Sequence, residues 1–323
     1  MSIYDQDADK AQQQLDKISP SMCYAKWSQV SMHLTNGMTH SCYHPPTHKV
    51  PLEELEKNIT ALHNTEEKKE QRRLMLKGER PEGCSYCWNI EDQGDRSDRI
   101  YRSGEYWAQE SRQDIMDAGA SGNINPRYVE VNFNQACNFK CSYCSPHLST
   151  AWQEEIDEHG EYPTVAPHNN IDSLRNKNLM PLKIAQDENP YVNAFWKWWP
   201  DMYKTLRVFR MTGGEPLMDK NTFKVMEYVL ENPNKDLELS ITTNMCPVND
   251  VLFERFIGLL KQLDNVEHSA EVYVPDPYDG TDWQTWDHYI IGADAKRYHD
   301  SELPSIEREE IKQTFLQVGQ CEE

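Results

Sequence analysis

Three cysteines fall in one short stretch, Ala136-Cys137-Asn138-Phe139-Lys140-Cys141-Ser142-Tyr143-Cys144, with the spacing Cys-x3-Cys-x2-Cys. Three soft thiolates on one loop suit an iron-sulfur cluster, whereas a structural zinc site usually takes four ligands. On a four-iron cluster, three cysteines leave one iron open to a further ligand. The competing readings are three cysteines packed as small hydrophobic side chains, and a zinc ion completed by His147 or a distant residue. A second set consists of Cys23, Cys42 and the knuckle Cys84-Ser-Tyr-Cys87. Four thiolates can close one metal site, and this combination is also a zinc pattern, so zinc is the alternative to a cluster there. His44 and His48 are competing ligands near Cys42, though loop histidines are more often solvated.

Two further segments have the chemistry of a ligand cradle. In Met211-Thr-Gly-Gly-Glu-Pro216, Gly213 and Gly214 let the backbone approach a ligand closely, and the Glu215 carboxylate can accept bonds from an ammonium group. In Ile241-Thr-Thr-Asn244, polar side chains stand where an apolar run ends, although Thr and Asn also end strands in plain turns. Cys246 follows closely; a packed or idle thiol is its commoner role.

The elements that must position these residues follow from periodicity. Tyr128–Phe133, Leu206–Met211, Leu237–Thr242 and Ala270–Val274 alternate with period two and are predicted strands. Helical patterns over Asn221–Glu231 and Val251–Leu263 lie between the last three, so strand and helix alternate as in an α/β fold with a parallel sheet. Chemistry in such sheets gathers at the carboxyl ends of the strands, where the cysteine loop and the two polar segments fall. Further helices are predicted over Ala8–Ile18, in two pieces between Pro51 and Met75, over Tyr106–Ala118 and over Ile306–Leu316. The Cys23–Cys42 segment lacks apolar periodicity and is expected to be loop. Residues 145–190 are long, polar and punctuated by prolines, which suggests an insertion over the sheet.

Together the motifs resemble the radical S-adenosylmethionine (SAM) enzymes, whose signature is the Cys137, Cys141 and Cys144 spacing with an aromatic residue, here Tyr143, before the third cysteine. Gly213-Gly-Glu-Pro216 looks like the Gly-Gly-Glu-Pro segment of that family. The resemblance implies a cluster on Cys137, Cys141 and Cys144, with the amino and carboxylate groups of SAM on its open iron. It also implies the methionine amino group on Glu215 and the glycine backbone, Tyr143 near the adenine, and Thr243 and Asn244 at the ribose or carboxylate. Cys23, Gly37, Cys42, Cys84 and Cys87 are similar to the twitch form of the SPASM domain, which holds a second 4Fe-4S cluster and which in that family follows the barrel. The implied organisation is a Cys-rich twitch-like helical and loop domain over residues 1–125, then a partial (β/α) radical SAM barrel over 126–323. No Gly-x-Ile-x-Gly-x-x-Glu-like segment follows, so a barrel shortened to about four or five strands at its C-terminus is expected.

The resemblance implies reductive cleavage of SAM to a 5'-deoxyadenosyl radical that abstracts a hydrogen atom, with a flavodoxin or ferredoxin as reductant. Twitch and SPASM relatives commonly modify peptides, so a peptide or protein substrate is expected. The alternatives are a noncatalytic iron-sulfur electron-transfer or binding protein derived from this family, and a zinc-stabilised interaction module.

Composition bounds these readings. With 33 Lys and Arg against 53 Asp and Glu, the net charge of −20 repels bare nucleic acid and anionic membrane surfaces. Neither a signal-peptide pattern nor a bilayer-spanning apolar run is found, so a cytoplasmic location is expected, where nine cysteines read as metal or redox chemistry. Two features take plainer readings. Val192, Phe195, Trp196 and Trp199 share a helical face and read as core, and Lys68, Lys69, Arg72 and Arg73, beside Glu66, Glu67 and Glu70, read as a solvated helix face.

Overall fold

The computed structural model describes residues 3–141, 143–163, 169–265, 269–275 and 286–291, with side chains described over 8–141, 143–163 and 169–263. The chain divides into two compact units. One comprises the residues up to Glu130 together with Leu182–Val208, and the other Val131–Pro181 and the chain from Phe209 onward.

The first unit contains β1 (Gln29–His33), β2 (Met38–His40) and β3 (His48–Lys49), joined antiparallel with Ser31 opposite His40 and Thr39 opposite His48. The loop expected between Cys23 and Cys42 is therefore a short helix, Ala25–Ser28, followed by a hairpin. Four of the five β1 residues are buried, so no alternation of polar and apolar residues marks the strand. The turn depends on Gly37, which has φ +69° and whose amide donates to the His33 carbonyl over 2.8 Å. A Cβ at Gly37 would lie 2.1 Å from the Tyr191 ring, so this position admits no side chain without repacking.

The N-terminal helix runs Ile3–Asp16, and the pieces between Pro51 and Met75 are Leu52–Lys57, a 3-10 turn at Ile59–Leu62 and Glu66–Leu76. The pattern over Tyr106–Ala118 is two helices, Tyr106–Glu110 and Arg112–Ala118. Ser85–Glu91 and Asp98–Gly104 add two helices that periodicity did not mark. Trp27, Met75, Trp88, Trp107 and Tyr128 form the core of this unit, and Cys23, Cys84 and Cys87 belong to the same cluster. Each such large side chain contributes about 1.5–3 kcal/mol by leaving water.

Helix Glu66–Leu76 corrects one expectation. Lys69 and Arg73 pair outward with Glu66 and Glu70, but Lys68 and Arg72 are buried with Met75. Positions four apart share one face, and here that inward face carries cations. In helix Pro190–Met202 the expected core is present, with Trp198 buried and Trp196 only half-buried.

β4 (Tyr128–Asn132) and β5 (Val208–Thr212) each begin in the first unit and end in the second. They are followed by β6 (Glu238–Thr242), β7 (Ser269–Pro275) and β8 (Trp286–Ile291), in the sheet order β4-β5-β6-β7-β8. Helix Lys220–Glu231 links β5 to β6 and helix Asp250–Asn265 links β6 to β7, close to the predicted bounds. β7 runs parallel to β6, with Ser240 opposite Glu271, as a strand-helix-strand connection requires. β8 is antiparallel to β7. Residues 145–190 hold helices Thr150–His159 and Ile171–Asn176 and a 3-10 turn at Gln186–Glu188. The helix expected over 306–316 lies outside the described residues. Among the described residues, no helix is long and apolar enough to cross a membrane.

Candidate functional site

In the second unit three strand ends converge. β4 runs into the cysteine loop, where Asn134 Oδ1 accepts from the Ala136 amide over 2.8 Å and Asn134 Nδ2 donates to Asp219. The loop rests on the start of helix Thr150–His159. Thr150 Oγ1 accepts from the Cys137 amide over 3.1 Å and donates to its carbonyl over 2.9 Å, and Trp152 Nε1 donates to the Cys141 carbonyl over 2.9 Å. The Cys144 amide closes a turn onto the Cys141 carbonyl over 2.9 Å.

These three cysteines are half-buried and free. Burial pushes the Cys137 thiol up and Cys144 up to about 11, and neighbouring thiolates add to both shifts. A thiolate at this place is favourable only beside a compensating cation, which a bound metal centre would supply. Tyr143 is 62 % exposed, with its hydroxyl pKa raised chiefly by burial of the group and then by Cys141.

β5 ends in the two glycines. Gly213 and Gly214 have φ +75° and +52°, and a Cβ on the first would lie 2.1 Å from Asn132 Nδ2. A Cβ on the second would lie 2.7 Å from the Ala136 carbonyl and 2.9 Å from that of Asn134. Only glycine lets this segment lie flush against the cysteine loop, where the Glu215 amide donates to the Ala136 carbonyl over 2.6 Å.

The Glu215 carboxylate, 1 % exposed, is held at the end of β6. It accepts from Thr243 Oγ1 over 2.5 Å, from the Asn244 amide over 2.7 Å and from the Leu217 amide over 2.9 Å. Burial outweighs these three donors and pushes its pKa up to about 7. Asn244 Nδ2 in turn donates to Asn138 Oδ1 over 3.0 Å, and Asn138 Nδ2 to the Cys246 carbonyl over 2.7 Å, which ties the β6 end to the cysteine loop.

The sequence-predicted residues Cys137, Gly213, Gly214, Glu215, Thr243 and Asn244 are thus brought together, with Pro216 opening the turn that Glu215 caps. Asn134, Asn138, Thr150 and Trp152 were missed. Their signal is weak because each acts through hydrogen bonds to backbone or to side chains distant in sequence, which no local pattern marks. The residues fit a thiolate-held cluster with a small polar ligand. The fit rests on three half-buried thiols on one loop, with Cys137 and Cys144 raised by burial and then by their neighbours' charge, and on the buried Asn132, whose Nδ2 and Oδ1 have no hydrogen-bond partner among the described residues.

The second cysteine set converges within the first unit. Cys23, Cys42, Cys84 and Cys87 line one cavity with Lys26, Arg99 and Arg102. Burial, then repulsion from the other three thiolates, pushes Cys23 up to about 12, while Arg99 works the other way. Cys87 is pushed up to about 11 and Cys42 upward, with Lys26 the leading charge that opposes the latter.

Arg99 is committed elsewhere, donating to both oxygens of Glu91 over 2.8 and 3.0 Å and to the Met22 carbonyl over 2.6 Å. His44 pairs with Asp98 over 2.5 Å and stacks on Tyr86, and His48 Nε2 lies 2.9 Å from Thr65 Oγ1. Among the described residues, no three His, Cys, Asp or Glu side chains are gathered tightly enough to grip a single ion.

Among curated proteins, the chain is similar to GTP 3',8-cyclases, enzymes of the radical SAM class. It is 28% identical to that of Desulforamulus reducens over 158 residues, covering 48% of this chain and 38% of the relative. It is 27% identical to that of Campylobacter jejuni over 145 residues (44% and 36%) and 26% identical to that of Campylobacter lari over 117 residues (36% and 27%). These likenesses support the radical SAM superfamily for this chain. The chain spans roughly a quarter to two fifths of the length of these radical SAM relatives. No family model matches the chain, and no solved structure gives a significant match.

Proposed function

We propose that the chain is a radical SAM enzyme whose cleft lies at the carboxyl ends of β4, β5 and β6. The observation that carries this reading is the hydrogen-bonded closure of the cysteine loop, the Gly213-Gly214-Glu215 turn and the Thr243-Asn244 end around one buried carboxylate.

In this reading Cys137, Cys141 and Cys144 hold a 4Fe-4S cluster. When bound, the cluster and SAM supply the chemistry of a one-electron reductive cleavage to methionine and a 5'-deoxyadenosyl radical. The protein's own residues orient and exclude. The Gly213 and Gly214 backbone lies open to the methionine amino group, and Glu215 keeps room for one more donor beyond the three it holds. Thr243 and Asn244 fix Glu215 through the Thr243 hydroxyl and the Asn244 amide, and by the family resemblance they border the ribose or carboxylate of SAM. Tyr143 offers an exposed ring to the adenine. The strands complete a partial (β/α) barrel that holds these groups in register and keeps competing hydrogen donors out.

The test is anaerobic reconstitution with iron and sulfide, then dithionite and SAM, with 5'-deoxyadenosine read by mass spectrometry. The nucleoside forms in the wild type and is lost when Cys137, Cys141 and Cys144 are all replaced by Ala. Its absence from protein carrying intact clusters would replace this reading with a noncatalytic electron-transfer or binding protein.

The cavity lined by Cys23, Cys42, Cys84 and Cys87 supports a second, auxiliary 4Fe-4S cluster in a twitch-like domain, with electron transfer or substrate anchoring as its role. Gly37 supports it by holding the turn between Cys23 and Cys42. A peptide or protein is the substrate class that this likeness suggests, and a flavodoxin or ferredoxin is the reductant class. Iron analysis of the triple Cys137, Cys141 and Cys144 variant tests the auxiliary site. Retained cluster iron supports it, and zinc without iron would turn the reading to a structural ion.

A further inference from the structure

Lys26, on the wall of the four-cysteine cavity, belongs to a group of buried basic side chains to which no described carboxylate is bonded. Lys68 and Arg72 are 0 % exposed and Lys26 is 2 % exposed. Their partners are neutral. Lys26 Nζ donates to Gln71 Oε1 over 2.7 Å, and Lys68 Nζ to the His40 carbonyl over 3.3 Å and to His63 Nδ1 over 3.2 Å. Arg72 donates to Asn64 Oδ1 over 3.0 Å and to the Lys26 carbonyl over 3.3 Å, with its guanidinium carbon 5.7 Å from the Trp27 ring centre.

His63 donates from Nε2 to the Trp27 carbonyl over 2.7 Å and, hemmed in by cations and burial, is held well below the usual histidine range. No described carboxylate pairs with any of the three cations. Glu67, whose side chain is 54 % exposed, is the acidic group that interacts with Lys26 and Lys68 through its charge, and its own contacts are Gln71 and His48.

Burying one unpaired ion costs several kcal/mol, and like charges four apart on a helix add to that. A chain with 53 acidic residues could have placed one here and has not. The neighbour is the cavity. Lys26 lines it together with the four cysteines, and Lys68 Nζ is bonded to the His40 carbonyl, two residues from Cys42. Arg99 is already matched by Glu91, and Arg102 lies 3.5 Å from Glu105.

We propose that Lys26, Lys68 and Arg72 are the counter-charges of an anionic metal-thiolate cluster on Cys23, Cys42, Cys84 and Cys87, and that they raise its reduction potential. This rests on the reading of those cysteines as cluster ligands. Four thiolates outweigh the positive charge of an iron-sulfide core, so the group is anionic before reduction and more so after it. Fixed buried cations stabilise the more anionic state and favour taking up the electron. The three are positioning residues that act through the field, with no bond to the metal.

The experiment uses the full chain carrying Cys137→Ala, Cys141→Ala and Cys144→Ala, reconstituted with iron and sulfide so that only the N-terminal cluster reports. Its reduction is followed by electron paramagnetic resonance in a redox titration. Lys68→Met is expected to lower the reduced-to-oxidised ratio at a fixed potential at least tenfold, a 59 mV shift for one electron, with iron content retained. Lys26→Met, a change at the cavity wall, gives the same direction and serves should Lys68→Met fail to fold. A ratio unchanged within twofold in iron-replete variants would overturn the inference while leaving the auxiliary cluster standing. A parent that holds zinc, or no cluster iron, would overturn the ligand reading itself and the inference with it.

Discussion

Glu215 offers the sharpest test of the cleft, because its environment makes a signed prediction. Its carboxyl is pushed up from an ordinary 4.5 to about 7 by burial. Below pH 4.5 it is protonated in both folded and unfolded chains and imposes no penalty. Above pH 7 it is ionised in both, and the fold bears the full cost of the buried charge. Stability from this group is therefore present at low pH and lost as pH rises through 7. At about 1.4 kcal/mol per pH unit, the gap between 4.5 and about 7 is worth about 3 kcal/mol. Urea unfolding of reconstituted wild type and of Glu215→Gln, compared from pH 4.5 to 8, isolates the term, since all other groups cancel in the difference. The wild type should lose about 3 kcal/mol relative to the variant across that window. A difference that stays flat, or that grows in favour of the wild type with rising pH, would show that the three donors outweigh burial and that the argument about the cleft is wrong.

Other predictions follow from packing. Gly214→Ala places a Cβ 2.7 Å from the Ala136 carbonyl at φ +52°, so it should destabilise the fold by about 2–5 kcal/mol; urea unfolding and 5'-deoxyadenosine yield should fall together. Gly37→Ala drives a Cβ into the Tyr191 ring and should cost about 2–5 kcal/mol, with part of the loss recovered by Tyr191→Leu, read as the coupling in a double-mutant cycle. Arg99→Met strands Glu91 in a pair whose side chains are 4 % and 13 % exposed, an expected loss of about 3–5 kcal/mol. Adding Glu91→Met should restore most of it, and no restoration would mean that the Met22 carbonyl bond dominates.

The second unit was legible in the sequence because its elements obey single periods. The strands before Cys137, Gly213 and Thr243 were read to within two residues at either end, and helices Lys220–Glu231 and Asp250–Asn265 to within two. Each strand is bounded by the chemistry that ends it, thiols, glycines or Thr-Asn. What stayed hidden was the way those ends are joined. Asn138 to Asn244 and Asn134 to Asp219 are amide and carboxylate pairs 106 and 85 residues apart, and no local pattern announces such a pairing. β8 also escaped, since a strand that reverses against β7 breaks the strand-helix alternation from which the rest was inferred.

The first unit resisted for a different reason, which bears on its chemistry. Hydrophobic patterning finds a face by assuming that what turns inward is apolar. In Gln29–His33 and in Glu66–Leu76 the inward face carries Gln29, Ser31, Lys68 and Arg72, so a strand read as loop and a buried stripe read as solvated. Protein interiors accept such residues only where hydrogen bonds or opposite charge compensate for lost water. Lys68 and Arg72 hydrogen-bond to neutral atoms, and the Gln29 side-chain amide and Ser31 hydroxyl have no hydrogen-bond partner among the described residues, so no bonded carboxylate supplies the compensating charge. Four thiols on one wall of the same region are the chemistry able to supply it. The proposed anionic cluster on Cys23, Cys42, Cys84 and Cys87 would account both for their convergence and for the failure of patterning at Lys68 and Arg72.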